Sequence, residues 1–320
     1  MALRRVSYYD CGRGAKLPDL AGARNGAGIE ARALGPDGGA LSVGDLYRSE
    51  TMTTQRPQRR VKVRALIKAG EAALRRGLPL APERQELSGL AFVLAAMLGE
   101  AGRADRASRT AAMVHAVFTA SARATRSQLD LACRKGCGYC CHTWVSATAP
   151  ELFLLASTLA ARKAGPATEQ LSAVLGRAAV TAGLTIDQRF GAKLPCALLR
   201  DGACSVYGER PTVCRQVTST DLAGCLDEFE GRDRGGEIVG SRYFHDHARN
   251  CRVPLLAALA ARGLPGHAYE LSAGLLRTVR PGAEAGWLAG EDLFAGLAPA
   301  PPEPAPIPRV VAEIAAEIAV

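Results

Sequence analysis

The sequence predicts a mainly α fold, in which a helical body carries one irregular, cysteine-rich module containing a small β-hairpin. Three observations point there. Aromatic residues fill only 5% of the 320 positions while Ala, Leu and Arg recur, so small aliphatic side chains must make the core, which suits packed helices better than a β-sandwich. Apolar residues return at i, i+4 over long stretches. Eight of the ten cysteines lie between Cys133 and Cys225. A composition of 48% apolar and 22% charged residues excludes a wholly disordered chain and suffices for one large or two small cores.

Residues 1–60 are rich in glycine and lack a sustained apolar period, so they read as a disordered leader. Met52, just ahead of the first helical pattern, is an alternative translation start, which would make the preceding residues a gene-start artefact. Residues 61–132 form a helical region. Val61, Ala65, Leu66, Ala69, Ala73 and Leu74 mark a helix stopped by Gly77 and Pro79. A second helix runs from about Pro82 to Leu98, and a third from near Arg103 through Val114 and Phe118 to Leu129 and Leu131, ending at Gly136.

Residues 133–230 form the cysteine module. Within it, Thr148-Ala-Pro-Glu151 reads as a capping box that opens a helix. Gly165-Pro166 interrupts that helix, and another follows from about Thr168 to Ala182. The stretch from Cys196 to Tyr207, turning at Asp201-Gly202, reads as a hairpin, and Pro211 starts a short helix with Cys214 in its first turns. Residues 231–297 resume helical patterning around Leu255–Ala261 and Tyr269–Leu276, and residues 298–320 are a Pro-rich linker with a short amphipathic tail.

The longest apolar run, Leu87 to Gly99, falls short of the roughly 20 residues that span a bilayer, so a soluble protein with no membrane partner is expected. The N-terminus passes from Arg4 and Arg5 to Tyr8, Tyr9 and Asp10 without an apolar core, unlike a secretory signal, which leaves cytoplasmic residence as the expectation. The net charge of +9 is spread along the chain and not interleaved with aromatics, which disfavours nucleic-acid binding. No feature assigns a protein partner.

In a reducing compartment, dense cysteines point to metal binding or catalysis rather than to disulfides. The first cluster is Cys133, Cys137, Cys140 and Cys141, with Gly136 and Gly138 giving the backbone freedom to turn. The second is Cys196, Cys204, Cys214 and Cys225. For Cys196 and Cys204 to share a metal, the hairpin needs a three-residue Arg200-Asp201-Gly202 loop, because a two-residue loop sets them on opposite faces of a regular ladder. Cys11 and Cys251 read as ordinary core thiols. Arg134, Lys135, Arg210 and Arg215 are the cations nearest the thiols in sequence and would favour a thiolate centre of net charge −2.

The segments Cys133–Cys141 and Pro195–Arg215, with the string Cys204-x-x-Tyr207-x-x-Arg210-Pro211-x-x-Cys214-Arg215, resemble the zinc- or iron-chelating cysteine-cluster family known by its CxxCxxCC signature. The likeness covers about residues 125–230, and here three residues rather than two separate Cys133 from Cys137. It implies a bound Zn2+ ion or iron–sulfur cluster, with Cys133, Cys137, Cys140, Cys141, Cys196, Cys204 and Cys214 as ligands and Cys225 as a looser one. Around them, Glu151, His142, Arg210 and Arg215 would support the ligands. Glu151 is read equally as the family's acidic residue and as a helix cap, and His142 as a ligand or a hydrogen-bonding neighbour.

Three functions are compatible with these thiols: metal binding with a redox or metal-handling role, a structural zinc protein, or an iron–sulfur enzyme using S-adenosylmethionine. The last includes radical enzymes, whose spacing Cys133-x3-Cys137-x2-Cys140 reproduces, and the protein lysine methylases that the resemblance brings in. Radical enzymes of that kind sit on α/β barrels, for which no strand–helix alternation is visible. Gly235-Gly236-Glu237 mimics a further motif of theirs. His115, His142, His245, His247 and His267 are dispersed, and no nucleophile and base pair up, so catalysis is left open.

Overall fold

The computed structural model describes residues 57–134, 136–161, 166–232 and 242–319. Residues 1–56 of the leader, with Cys11 and Met52, and Lys135 and Gly235-Gly236-Glu237 lie outside them, whereas residues 57–60, expected in the leader, begin the first helix. The described chain is mainly helical, with two small antiparallel strand pairs.

The helices α1 (Pro57–Arg76), α2 (Arg84–Leu98) and α3 (Arg106–Gln128) open the body. A Glu83/Glu86 capping box starts α2, and every residue from Ser88 to Leu98 is buried, which makes it the central helix. It crosses α1 at a pair of glycines. A Cβ on Gly70 would stand 2.4 Å from the Gly89 carbonyl oxygen, so only glycine permits that approach.

Strand β1 (Ser146–Thr148) leads into α4 (Ala149–Ala160), and α5 (Pro166–Thr181) and α6 (Ile186–Ala192) follow. Next come the hairpin β2 (Leu199–Arg200) and β3 (Ala203–Cys204), then α7 (Thr212–Gln216) and α8 (Leu222–Glu230). The chain returns to the body through α9 (Arg242–Ala261) and β4 (Ala268–Glu270). It ends in α10 (Leu271–Thr278), α11 (Ala283–Leu288) and α12 (Ile307–Ile318).

The main core gathers Phe92, Leu94, Phe153, Phe244, Leu255 and Trp287 between α2, α3, α4, α9 and α11. The tail is part of it: α12 lays Ile314 and Ile318 into this core, and Arg84 holds Glu313 at 2.8 Å. A second, smaller core of Leu155, Leu159, Ala178, Leu198, Leu271 and Leu275 lies under the module, with Cys196, Cys204 and Cys214 packed against it. Strand β1 pairs with β4, Ser146 opposite Glu270, and so ties the cysteine segment to the C-terminal helices.

The structure corrects three readings of the periodicity. Helix α3 stops at Gln128, and Leu129 is extended at φ −112° and ψ 133°. Leu129 and Leu131 still pack on the main core, because an extended segment along the same core also shows apolar residues at short spacing. Tyr269 belongs to β4, not to a helix. Helix α6 carries little apolar pattern and is marked mainly by its Thr185/Gln188 cap, whereas α8 combines Leu222, Cys225, Leu226 and Phe229 on one face with caps at Asp221 and Gly231. No described helix is long and apolar enough to cross a membrane.

Candidate metal centre

Beyond α3 the chain runs extended to Cys133, where two contacts pin it to the turn before α8. The Ala132 amide donates to the Ser219 carbonyl at 2.9 Å, and the Ser219 amide donates to Cys133 Sγ at 3.1 Å. That turn leads into α8, which carries Cys225. Gly136, at φ +96°, reverses the chain, and a 3-10 turn over Tyr139–His142 presents Cys140 toward solvent and Cys141 inward. The Cys196 amide donates to the Cys141 carbonyl at 2.6 Å, joining the two clusters through the backbone.

The hairpin register differs from the expected one. Leu199 faces Cys204 and Arg200 faces Ala203, so the loop is the two-residue Asp201-Gly202. Asp201 at φ 49° and Gly202 at φ 75° supply the two left-handed residues of a tight turn that matches strand twist. Cys196 nevertheless comes near Cys204 and Cys214. It precedes the strand in a turn closed by Leu199 N–H donating to its carbonyl at 2.9 Å, so strand alternation does not govern its direction.

The thiols form two neighbouring sets. Cys133, Cys137 and Cys225 act on one another electrostatically, Cys196 and Cys214 act on Cys141 and on Cys204, and Cys140 acts on members of both sets. Burial raises the Cys133, Cys204, Cys214 and Cys225 thiols above their ordinary value and lifts Cys196 to about 11. Opposing that rise, the Ser219, Leu198 and Val206 amides donate to the sulfurs of Cys133, Cys196 and Cys204. The hydrogen bond with Cys141, helped by the field of Arg210, brings Cys140 down to about 7 and raises Cys141 in turn.

Among the described residues no three Cys, His, Asp or Glu side chains stand close enough to hold a metal ion as they are. The donor set fits one all the same. Soft thiolates suit zinc or iron, three backbone amides already aim at sulfur, and the Cys196–Cys141 backbone bond joins the two cysteine segments.

Glu151 is 4% exposed and joins three segments. Its Oε2 accepts from the Thr148 amide and hydroxyl, both at 2.9 Å, which completes the capping box of α4. Its Oε1 accepts from the Thr212 amide and hydroxyl, both at 2.7 Å, and faces His115 Nε2 at 3.4 Å. Burial alone would raise this carboxyl, but the His115, Thr212 and Thr148 donors hold it at about 2, while burial pushes the His115 imidazole below its ordinary value. Glu151 therefore fixes the start of α7, the helix that carries Cys214.

Around the thiols, His142 Nδ1 bonds the Gly138 carbonyl at 3.1 Å and its ring lies 4.8 Å from Phe229. Arg210 stacks on Tyr207 at 3.7 Å, and its charge bears on Cys140, Cys204 and Cys214. Arg215 braces the adjacent turn, donating to the Arg210 and Gly208 carbonyls, and burial lowers its guanidinium to about 10. Cys251 is 0% exposed in the main core, far from ionising at about 12 because of burial.

Sequence reading missed His115 and two arginines. Arg177 of α5 donates twice to the Ala197 carbonyl, at 3.0 and 2.7 Å, and Arg189 of α6 donates to the Pro195 carbonyl at 3.2 Å, so together they hold both flanks of Cys196. Nothing in their spacing relative to the cysteines signals this; only the fold brings them there.

No curated protein and no solved structure matches the chain. Residues 132–252 do match the family model CxxCxxCC, described as "Putative zinc- or iron-chelating domain", the same family that the cysteine spacing resembles.

Proposed function

We propose that the module chelates zinc or iron, the iron as an iron–sulfur cluster, through the thiolates of Cys133, Cys137, Cys140, Cys141, Cys196, Cys204, Cys214 and Cys225. The observation that carries this reading is the bond from the Cys196 amide to the Cys141 carbonyl, which joins the backbones of the two cysteine clusters. Eight exceed the four ligands of one tetrahedral ion, and Cys140 adjoins both sets, so two centres or one cluster is the arrangement that uses them. A redox or metal-handling role follows from such a centre, and the cytoplasm is the compartment that keeps its thiols reduced. A purely structural zinc site shares these ligands. The S-adenosylmethionine-dependent reading shares the Cys133, Cys137 and Cys140 spacing but gains no parallel strand pair among the described residues.

The residues divide the work. Backbone amides and Arg210 favour the ionised thiols, Glu151 sets the Cys214 helix, and the two arginines on α5 and α6 fix the Cys196 loop. The metal, when bound, would supply either a rigid cross-link or an electron site. Anaerobic purification followed by elemental analysis and absorbance tests the reading. We expect near-stoichiometric metal and a brown protein absorbing near roughly 400 nm, with zinc replacing iron in aerobic material. Anaerobic, colourless protein holding two zinc ions would overturn the cluster. Folded protein with free thiols and less than about a tenth of an equivalent of metal would overturn chelation altogether.

A further inference from the structure

We infer that Arg189 is the internal counter-cation of the thiolate centre on its Cys196 side, a positioning residue whose charge is balanced when the thiols ionise on a metal. The inference rests on the metal-binding reading above. Arg189 is 3% exposed, yet its Nε and Nη1 have no hydrogen-bond partner, and only Nη2 is engaged, on the Pro195 carbonyl. Among the described residues no carboxylate forms an ion pair with it. Glu270, the acid in its field, is already accepting from the Ala273 amide at 2.7 Å and from Ser272.

A buried guanidinium with most of its donors idle and no carboxylate in direct contact is costly in a protein interior, so its retention favours an anion beyond the one at Glu270. One source adjoins its hydrogen-bond partner Pro195: the thiol of Cys196. Cys196 is half-buried, and Arg189 is a cation whose charge bears on it. A divalent ion with four thiolates carries net −2, and such a centre supplies the missing negative charge. Arg177 makes the contrast. It grips the Ala197 carbonyl with two nitrogens on the other side of Cys196, while its side chain remains half-exposed, so it braces the loop without an uncompensated buried charge.

The test uses the full chain and the variants Arg189→Met, Arg189→Lys and Arg177→Met, with Co2+ and Zn2+ as probes. Wild-type protein must first give thiolate-to-cobalt charge-transfer bands; their absence defeats the metal-binding reading and not the role of Arg189 within it. Given those bands, Arg189→Met is expected to bind Zn2+ at least about tenfold more weakly in chelator competition, the usual scale for a residue supporting the ligands. Its metal-free form should melt no lower than the wild type, because an uncompensated charge has gone. Arg189→Lys, which keeps the charge, is expected to restore most of the affinity. A metal-free Arg189→Met protein that melts lower while Zn2+ affinity is unchanged, or falls only as in Arg177→Met, would reduce Arg189 to a brace. So would an Arg189→Lys variant as weak as Arg189→Met.

Discussion

The helical body and the cysteine module are built on different physics. In the body, long helices meet through fully buried side chains, and α2 buries eleven consecutive residues from Ser88 to Leu98. In the module, elements of two to five residues, such as β2, β3 and α7, are too short to bury much, and their order comes from polar contacts. These are amides on sulfur, arginines on carbonyls, and a carboxylate shared by three segments. Apolar burial at roughly 25 cal/mol per Å2 can hold the first region alone. The second gathers thiols that burial disfavours as anions, and in the proposed reading it is completed by a cation.

The largest effect that separates the regions is on the thiols. Cys214→Ser or Cys140→Ser should lose metal and loosen residues 133–225, read by elemental analysis and by proteolysis within the module, because a structural metal site contributes on the order of 10 kcal/mol. Metal retained in both variants would detach those residues from the centre. In the body, Leu94→Ala should cost about 3 kcal/mol in denaturant unfolding while metal per folded chain stays constant, since Leu94 is 0% exposed in the main core.

Glu151 links the two regions and gives the comparison a pH dependence. Its carboxyl is held at about 2 in the fold against an ordinary 4.5, so its contribution is full above pH 4.5 and is lost as pH falls toward 2. His115, also depressed, adds a loss in the same direction, beginning below about 6.5. Metal-free Glu151→Gln should therefore be less stable than the wild type at pH 7 by up to about 3 kcal/mol, with the gap closing toward pH 2. A constant gap across that range would show that Glu151 acts only as a cap. The smallest effect belongs to Cys251→Ser, expected to cost about 1 kcal/mol with unchanged metal, because Ser121 can bond the hydroxyl as it does the thiol.

What could be read in advance follows the same division. The amphipathic helices of the body and the Thr148/Glu151 box are local signals, and the box and the starts of these helices appear close to where the periodicity and the cap residues place them, while the third helix ends at Gln128, short of Gly136. The cysteines named their own region, since density in sequence forces proximity. The hairpin register was not legible, because alternation holds only within a strand and Cys196 lies in the preceding turn. Nor were Arg177, Arg189 and His115, whose roles depend on α5, α6 and α3 being folded against loops far along the chain. The pairing of β1 with β4 joins residues more than a hundred positions apart, and no local pattern announces it.

The most direct measurement compares hydrogen exchange in the metal-loaded protein with the same protein after chelator stripping. The amides of Ala132, Cys141, Cys196 and Ser219, which make the module's cross-segment and turn contacts, should lose protection on stripping, while those of α2 and α9 keep theirs. Protection in residues 133–225 that is unchanged by metal removal would contradict the claim that a cation completes this region.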